Sequence, residues 1–345
     1  MEINIPWEKW TGTPWIKEGT IFLTKSGSHA YGTNIESSDL DIKGVAIPPK
    51  EYFFGFLNKF EQAESKSPDL TIFDIRKFFA LAADANPNII EFLFVDEKDW
   101  LVWSNWWFKI IDNRELFLSQ KAKHTFSGYA VSQLNRIKTH KNWLLHPVEN
   151  QPKRTDFGLP DGPTLEREQL KAFDSQVKKL EDTLGGKGWT KDKIEGQDEE
   201  LVTTIAEKIN LNKTLIPIIL NERRYNSAMR NYASYQKWKT ERNVTRSALE
   251  ASFGYDTKHA MHLVRLMRMA KEILAEGKVL VKRPDAEDLL AIRRGAWSYD
   301  QLIDWAQKTE QELNTIISPL PHSPNRAKID ELLVDIVNEY LRDPD

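Results

Sequence analysis

The chain has 345 residues, 40% of them hydrophobic, and a formal net charge of −3, which suits two domains with a well-buried core and argues against a uniformly basic nucleic-acid coat while leaving room for a local basic cleft. It contains no cysteine, so disulfides, thiolate catalysis and cysteine-based zinc sites are excluded together, and oxygen and imidazole remain as metal ligands. No run approaches the roughly 18 apolar residues of a membrane span, and Met1-Glu2-Ile3-Asn4-Ile5-Pro6 lacks the basic-then-apolar plan of a signal peptide, so no membrane association and a cytoplasmic location are the default expectations.

In chain order, Thr20-Ile21-Phe22-Leu23-Thr24 has the β-branched and aromatic content of a strand and runs directly into Gly27-Ser28. A helix start there turns unpaired N–H groups toward an approaching anion, and Ser28 adds a hydroxyl donor. The next strand, Asp39 to Ile47, puts Asp39, Asp41, Lys43 and Val45 on one face and Leu40, Ile42 and Ala46 on the other. Carboxylates two positions apart on a strand lie about 6.6–6.8 Å apart. Such a pair can share a divalent ion, with nucleotide phosphates completing an oxygen-only Mg²⁺ shell.

Further strands are expected at Leu70–Phe73 and Phe92–Val95. Asp69 opens the first of these after Pro68, where it is either a site carboxylate or a solvated turn residue. Asp74, before Ile75-Arg76-Lys77-Phe78, reads as a helix N-cap. Trp100, Trp103, Trp106 and Trp107 form an aromatic cluster expected at an interdomain seam rather than as a stacking platform for single-stranded RNA.

Beyond residue 112 helical periodicity takes over. Leu118 to Leu145 reads as one long helix ended before Pro147. Thr125, Tyr129, Ser132, Arg136 and His140 share one side, and Phe126, Ala130, Leu134, Ile137 and Leu144 pack on the other. A helix-interior glycine costs about 1 kcal/mol, so something is expected to approach the backbone at Gly128. Tyr129 is able to stack on a base and Arg136 to reach phosphate; the alternative is a plain helix crossing at Gly128-Tyr129. Loops are expected at Asn150–Pro163 and Leu184–Gly188, and helices through 199–220, 221–250, 258–276, 298–316 and 328–342.

In the 258–276 helix, Ala260, Leu263, Val264, Leu266, Met267, Ala270, Ile273 and Leu274 form a broad apolar face. His259 falls at its edge and reads as a hydrogen-bonded core or interdomain histidine. Lys258, His262 and Arg265 make a stripe on the opposite side. That stripe is either a solvated face or a binding face for triphosphate or RNA backbone.

Gly27-Ser28, ten intervening residues, then Asp39-Leu40-Asp41-Ile42 resembles the signature of the DNA polymerase beta nucleotidyltransferase superfamily. The wider run Gly27-Ser28-His29-Ala30-Tyr31-Gly32 through Ser38-Asp39-Leu40-Asp41-Ile42-Lys43-Gly44 is similar to its branch of predicted, RNA-ligase-associated nucleotidyltransferases. Lys77-Phe78 through Asn86-Pro87-Asn88 and Glu91, Phe126-Ser127-Gly128-Tyr129-Ala130, and Phe253-Gly254-Tyr255-Asp256-Thr257-Lys258-His259 fit the same branch, so the resemblance runs over most of the chain.

The resemblance implies an α+β fold, a small mixed-sheet catalytic domain (residues 1–112) followed by a mainly helical substrate- and nucleotide-binding domain (113–345). It implies two Mg²⁺ or Mn²⁺ ions held by Asp39, Asp41 and a third carboxylate, for which Asp69 fits better than Asp74, and an NTP substrate gripped by Gly27 and Ser28 with Tyr129, Arg136, Lys258, His262 and Arg265. The chemistry implied is transfer of a nucleoside monophosphate to a hydroxyl, an RNA end first among the acceptors. A protein or small-molecule acceptor, or a catalytically silent nucleotide- or RNA-binding module, are the alternatives. The nucleotide base and the oligomeric state have no signature.

Overall fold

The computed structural model describes residues 5–162, 168, 171, 175, 216–242 and 244–342. Two compact units result: residues 1–141 with 245–345, and residues 142–244. The expected division at residue 112 separates sheet-bearing chain from helical chain, whereas packing groups the C-terminal helices with the sheet.

The first unit is built on a five-stranded mixed sheet of β1 (Thr20–Ser26), β2 (Asp41–Ala46), β3 (Gln62–Lys66), β4 (Asp69–Asp74) and β5 (Trp100–Trp103), in the order β3-β4-β2-β1-β5. Only β2 and β4 run parallel; β1 pairs antiparallel with β2 and β5, and β3 antiparallel with β4. Strand alternation sorts the side chains as the sequence implies. Leu23, Ile42, Ala46, Leu70 and Ile72 gather on one face with Ile16 and Phe60, and Phe22 and Val45 enter the larger core on the other.

The helices of this unit are α1 (Ile16–Gly19), α2 (Gly27–Tyr31), α3 (Glu51–Phe54), α4 (Ile75–Ala83), α5 (Pro87–Leu93), α6 (Asn105–Asp112) and α7 (Lys121–Leu145, whose last turn falls in the second unit). Phe92–Val95 is not a strand. Asn86 caps the N-terminus of α5 by accepting from the Asn88 N–H at 3.1 Å, and Pro87 occupies the first turn, where its missing N–H costs nothing. A short apolar run is ambiguous in period, and here the cap decides it.

The tryptophan cluster expected at an interdomain seam lies within one compact unit. Trp107 is fully buried and stacks on Phe22 at 3.7 Å and 7° between ring planes, Trp100 meets Phe22 edge-on at 5.4 Å, and Trp106 packs edge-on against Tyr340. Trp107 thus lies in the core of the sheet-bearing unit with Trp100 and Trp106 packed against it, whereas Trp103 is 56% exposed. Among the described residues, and leaving aside the backbone of α7 itself, nothing lies within 4 Å of where a Cβ on Gly128 would stand, so the expected close approach is not made by them.

The second unit holds, among the described residues, a turn at Arg154–Phe157 and α8 (Ile216–Thr240). Trp143 donates from Nε1 to Asn231 at 2.9 Å, and Arg154 donates to the buried Glu222 at 3.0 Å. The helix expected through 221–250 ends at Thr240, and a separate helix α9 (Val244–Phe253), in the first unit from Thr245 on, follows. The expected Leu184–Gly188 loop and residues 199–215 lie outside the described residues. Back in the first unit come α10 (Thr257–Glu276), α11 (Ala286–Arg293), α12 (Tyr299–Thr315) and α13 (Arg326–Arg342). Among the described residues no helix is long and apolar enough to cross a membrane.

Because Trp107 has no exposed surface and stacks on a central-strand residue, Trp107→Ala is expected to cost about 3–5 kcal/mol. Chemical denaturation measures it, and a loss below about 1 kcal/mol, the scale of an ordinary substitution, would show that the stack is not part of the core.

Candidate active site

Parallel pairing sets Asp41 beside Asp69 in register, as Lys43 is beside Thr71 and Val45 beside Phe73. Neighbouring strands are about 4.7–4.9 Å apart, so the two carboxyl groups leave adjacent strands on the same face. Asp39, two residues before Asp41, is exposed just ahead of β2. Burial raises the Asp41 pKa above its ordinary value, with the Asp69 charge adding to it and Lys43 and Lys258 opposing it.

Gly27 closes the other side. Its φ is +61°, in the region glycine favours, and a Cβ there would fall 2.1 Å from Asp41 Oδ2. Any side chain at 27 would displace the carboxylate. Across the antiparallel β1–β2 ladder, Ser26 stands opposite Asp41; it is 7% exposed, and its hydroxyl has no hydrogen-bond partner among the described residues. Its signal in the sequence is its place at the strand end before the glycine turn.

Asp74 lies elsewhere in role. It accepts the Arg76 backbone N–H at 2.7 Å as the N-cap of α4 and takes the Arg76 guanidinium on both oxygens, at 2.6 and 3.0 Å. Both lone-pair sets are committed to holding a helix start. Asp69, by contrast, is exposed and in register with Asp41.

Beneath the carboxylates is a buried charge network. Glu91 on α5 accepts the Tyr31 hydroxyl at 2.6 Å and is ion-paired with Arg265 of α10, and the Arg265 guanidinium lies 3.8 Å from the Tyr31 ring centre. Burial pushes the Lys43 ammonium below its ordinary pKa, with Glu91 and Asp41 opposing the shift. Burial likewise pushes the Tyr31 hydroxyl up, so the tyrosine donates to Glu91 as a neutral phenol.

This network corrects the reading of the 258–276 helix. Arg265 is 4% exposed and Met261 and Met269 are buried, so the side opposite the first apolar face is covered as well. Of the stripe, Lys258 lies within electrostatic reach of Asp41, His262 is half-buried, and Arg265 is turned inward onto Glu91. Neither a solvated face nor an anion-binding face describes Arg265. Tyr129 is 39% exposed and its hydroxyl accepts from Asn88 of α5 at 3.4 Å, while Arg136 is exposed further along α7. A cleft of about 600 Å³ is lined by residues from Ile111 to Leu118 and from Pro321 to Asn325 and by none of the carboxylates above.

The carboxylates around Asp41 fit a hard divalent cation: Asp41 and Asp69 offer oxygens from adjacent strands, and Asp39 offers another within electrostatic reach of Asp41. A mixed sheet with this carboxylate set behind a glycine turn, followed by helices, is the architecture that the resemblance to polymerase beta-like nucleotidyltransferases implies. Residues 14–147 match the family described as RlaP, RNA repair pathway DNA polymerase beta family. At the level of that family the activity implied is nucleotidyl transfer. The chain is also 22% identical over 330 residues, 90% of its length and 93% of the other's, to an uncharacterized 38.9 kDa protein in the nrdC-mobD intergenic region of Enterobacteria phage T4. Over 79 residues it is 29% identical to the uncharacterized protein YcgL of Bacillus subtilis, spanning 22% of this chain and 30% of that one. No solved structure matches.

Two outcomes follow from the electrostatics. Glu91→Gln removes one partner of a buried ion pair and leaves Arg265 charged in the core, so it is expected to cost about 3–5 kcal/mol in chemical denaturation; a neutral result would mean that Arg265 is held by other groups. For Asp41, a raised folded-state pKa means that its charge destabilises the metal-free fold above that pKa and has no effect below the unfolded value, where both states are protonated. Asp41→Asn should therefore melt higher than wild type near neutral pH in chelator, with the gap closing as pH falls through the carboxylate range and reversing when Mg²⁺ is added. Differential scanning calorimetry across pH reads both signs, and a variant that melts lower than wild type in chelator contradicts the assignment.

Proposed function

We propose that this chain is a metal-dependent nucleotidyltransferase that moves a nucleoside monophosphate from an NTP to a hydroxyl on an RNA end, releasing pyrophosphate. The observation that carries the reading is the register of Asp41 beside Asp69, with Gly27 held against Asp41. The family match to an RNA repair branch supports the choice of acceptor.

In this reading Asp39, Asp41 and Asp69 would hold two Mg²⁺ or Mn²⁺ ions, which supply charge neutralisation on the triphosphate and acidify the acceptor hydroxyl. Asp69, the most accessible carboxylate in register, accepts the proton of that hydroxyl or orients it. Backbone N–H groups from Gly27 onward and the Ser28 hydroxyl donate to phosphate oxygens, and the Ser26 hydroxyl, opposite Asp41, is a further donor on the same face. Lys258 brings positive charge toward the negative triphosphate from the α10 side. Arg265 acts at one remove, through Glu91 and Tyr31, by fixing α2 behind the glycine turn. Tyr129 and Arg136 are offered to the base and to RNA phosphate, and His262 to the triphosphate tail.

The test is transfer of α-labelled nucleotide from each of the four NTPs to RNA with a free hydroxyl end, compared with retention on protein. Label on RNA is expected. Label on protein alone would move the acceptor class, and no transfer with any NTP would leave a binding module. Asp41→Asn and Asp69→Asn should each lower turnover by at least about 100-fold, the scale of removing one major transition-state contact. Asp74→Asn should leave chemistry within a few-fold while changing stability through the α4 cap. Near wild-type turnover in either Asp41→Asn or Asp69→Asn defeats the two-ion arrangement.

A further inference from the structure

A second group of ligating side chains gathers away from the carboxylates, where α7 meets the start of α10. One nitrogen from each of His140 and His259 and one Asp256 oxygen all lie within 4.8 Å of one another. His259 Nε2 is 3.5 Å from Asp256 Oδ2, and the two side chains are 10% and 3% exposed. His140, its side chain 18% exposed, faces His259 with ring centres 5.9 Å apart. Glu250, 2% exposed on its side chain, brings Oε1 to 3.6 Å from His140 Nδ1.

We propose that His140, Asp256 and His259 form a second metal centre that takes a zinc-class divalent transition metal, with Glu250 as the carboxylate behind His140. In a tetrahedral site with bonds of about 2.0–2.1 Å, ligand atoms stand about 3.3–3.5 Å apart; the His259–Asp256 separation already has that value, and the His140 nitrogen lies within 4.8 Å of both. Asp256 is oriented for it: Oδ1 accepts the His259 backbone N–H at 3.0 Å as the N-cap of α10, which aims Oδ2 at the imidazole. A carboxylate beside a ligating histidine is the arrangement that fixes the tautomer and ring plane of the ligand.

Donor chemistry separates the two centres. Imidazole suits zinc, copper, iron and nickel, whereas an all-carboxylate set suits magnesium, manganese and calcium. The two readings do not depend on each other. An ion at this place clamps α7 to the first turn of α10, one residue from Lys258, and so restrains the cation that faces Asp41. This is a structural clamp with a positioning effect.

The test is calorimetric titration of ZnCl₂ into the full chain, freed of metal by chelation and tag, with excess Mg²⁺ present to hold the carboxylate pocket. One zinc per chain is expected for wild type. His140→Gln and His259→Gln should each weaken it by about 10–100-fold, while the double variant Asp39→Asn with Asp41→Asn should bind as wild type does. Unchanged zinc affinity in both histidine variants, or zinc binding lost only in the aspartate double variant, overturns the proposal. Since a histidine variant can misfold, Co²⁺ is added to wild type as a variant-free measurement. Intense visible absorption from a tetrahedral or five-coordinate nitrogen–oxygen site supports the centre, and only the weak spectrum of octahedral, water-like cobalt overturns it.

Discussion

The carboxylate of Glu91 is the point on which the sheet-bearing unit turns. It is 4% exposed, and a buried charge is tolerable only when it is paired and hydrogen-bonded. Its two oxygens meet those conditions with partners from distant parts of the chain, the Tyr31 hydroxyl behind the glycine turn and the Arg265 guanidinium of α10. The same group bears electrostatically on Lys43, two strand positions from both Asp41 and Val45. One side chain thereby sets the position of the turn, of the C-terminal helices and of the cation under the carboxylates.

The two carboxylates above it are brought level by a parallel strand pair. Asp41 and Asp69 come from strands separated by a loop, a short helix and an antiparallel hairpin, and the β2–β4 ladder returns them to the same level. Burial and mutual repulsion raise Asp41 above the usual carboxylate range. Asp74, five residues beyond Asp69, shows the contrast: its charge is neutralised in place by Arg76 and its oxygens serve a helix start.

Legibility of the sequence followed the range of the interaction. The strand before Gly27, the alternation through Asp41 and Val45, the Asp74 cap and helices α10, α12 and α13 rest on neighbours within a few residues, and they are where local periodicity puts them. Asp69, preferred to Asp74 as a third carboxylate, pairs in register with Asp41, and a register belongs to two strands, so no single segment encodes it. What local reading missed depends on distant partners. Arg265 sits on a helix face that looks solvated by period, and it is buried because Glu91, 174 residues earlier, requires a cation. β3 and β5 are short or aromatic-rich strands whose status comes from the ladders beside them. The segment at Phe92 has strand-like composition, and its N-terminal Asn86-Pro87 start is the cue that outweighs it.

The interrupted order of the sheet-bearing unit, residues 1–141 and then 245–345, has a consequence for biosynthesis. When Glu91 leaves the ribosome its cation has not been made; the 174 residues between them take about 9–35 s to synthesise at the usual 5–20 residues per second. Over that interval the nascent sheet carries a carboxylate and a tyrosine poised around an absent guanidinium, and closing the gap is a long-loop event of high contact order. A chain that stops before residue 265 therefore lacks the cation that holds Glu91 and stacks on Tyr31 behind the glycine turn.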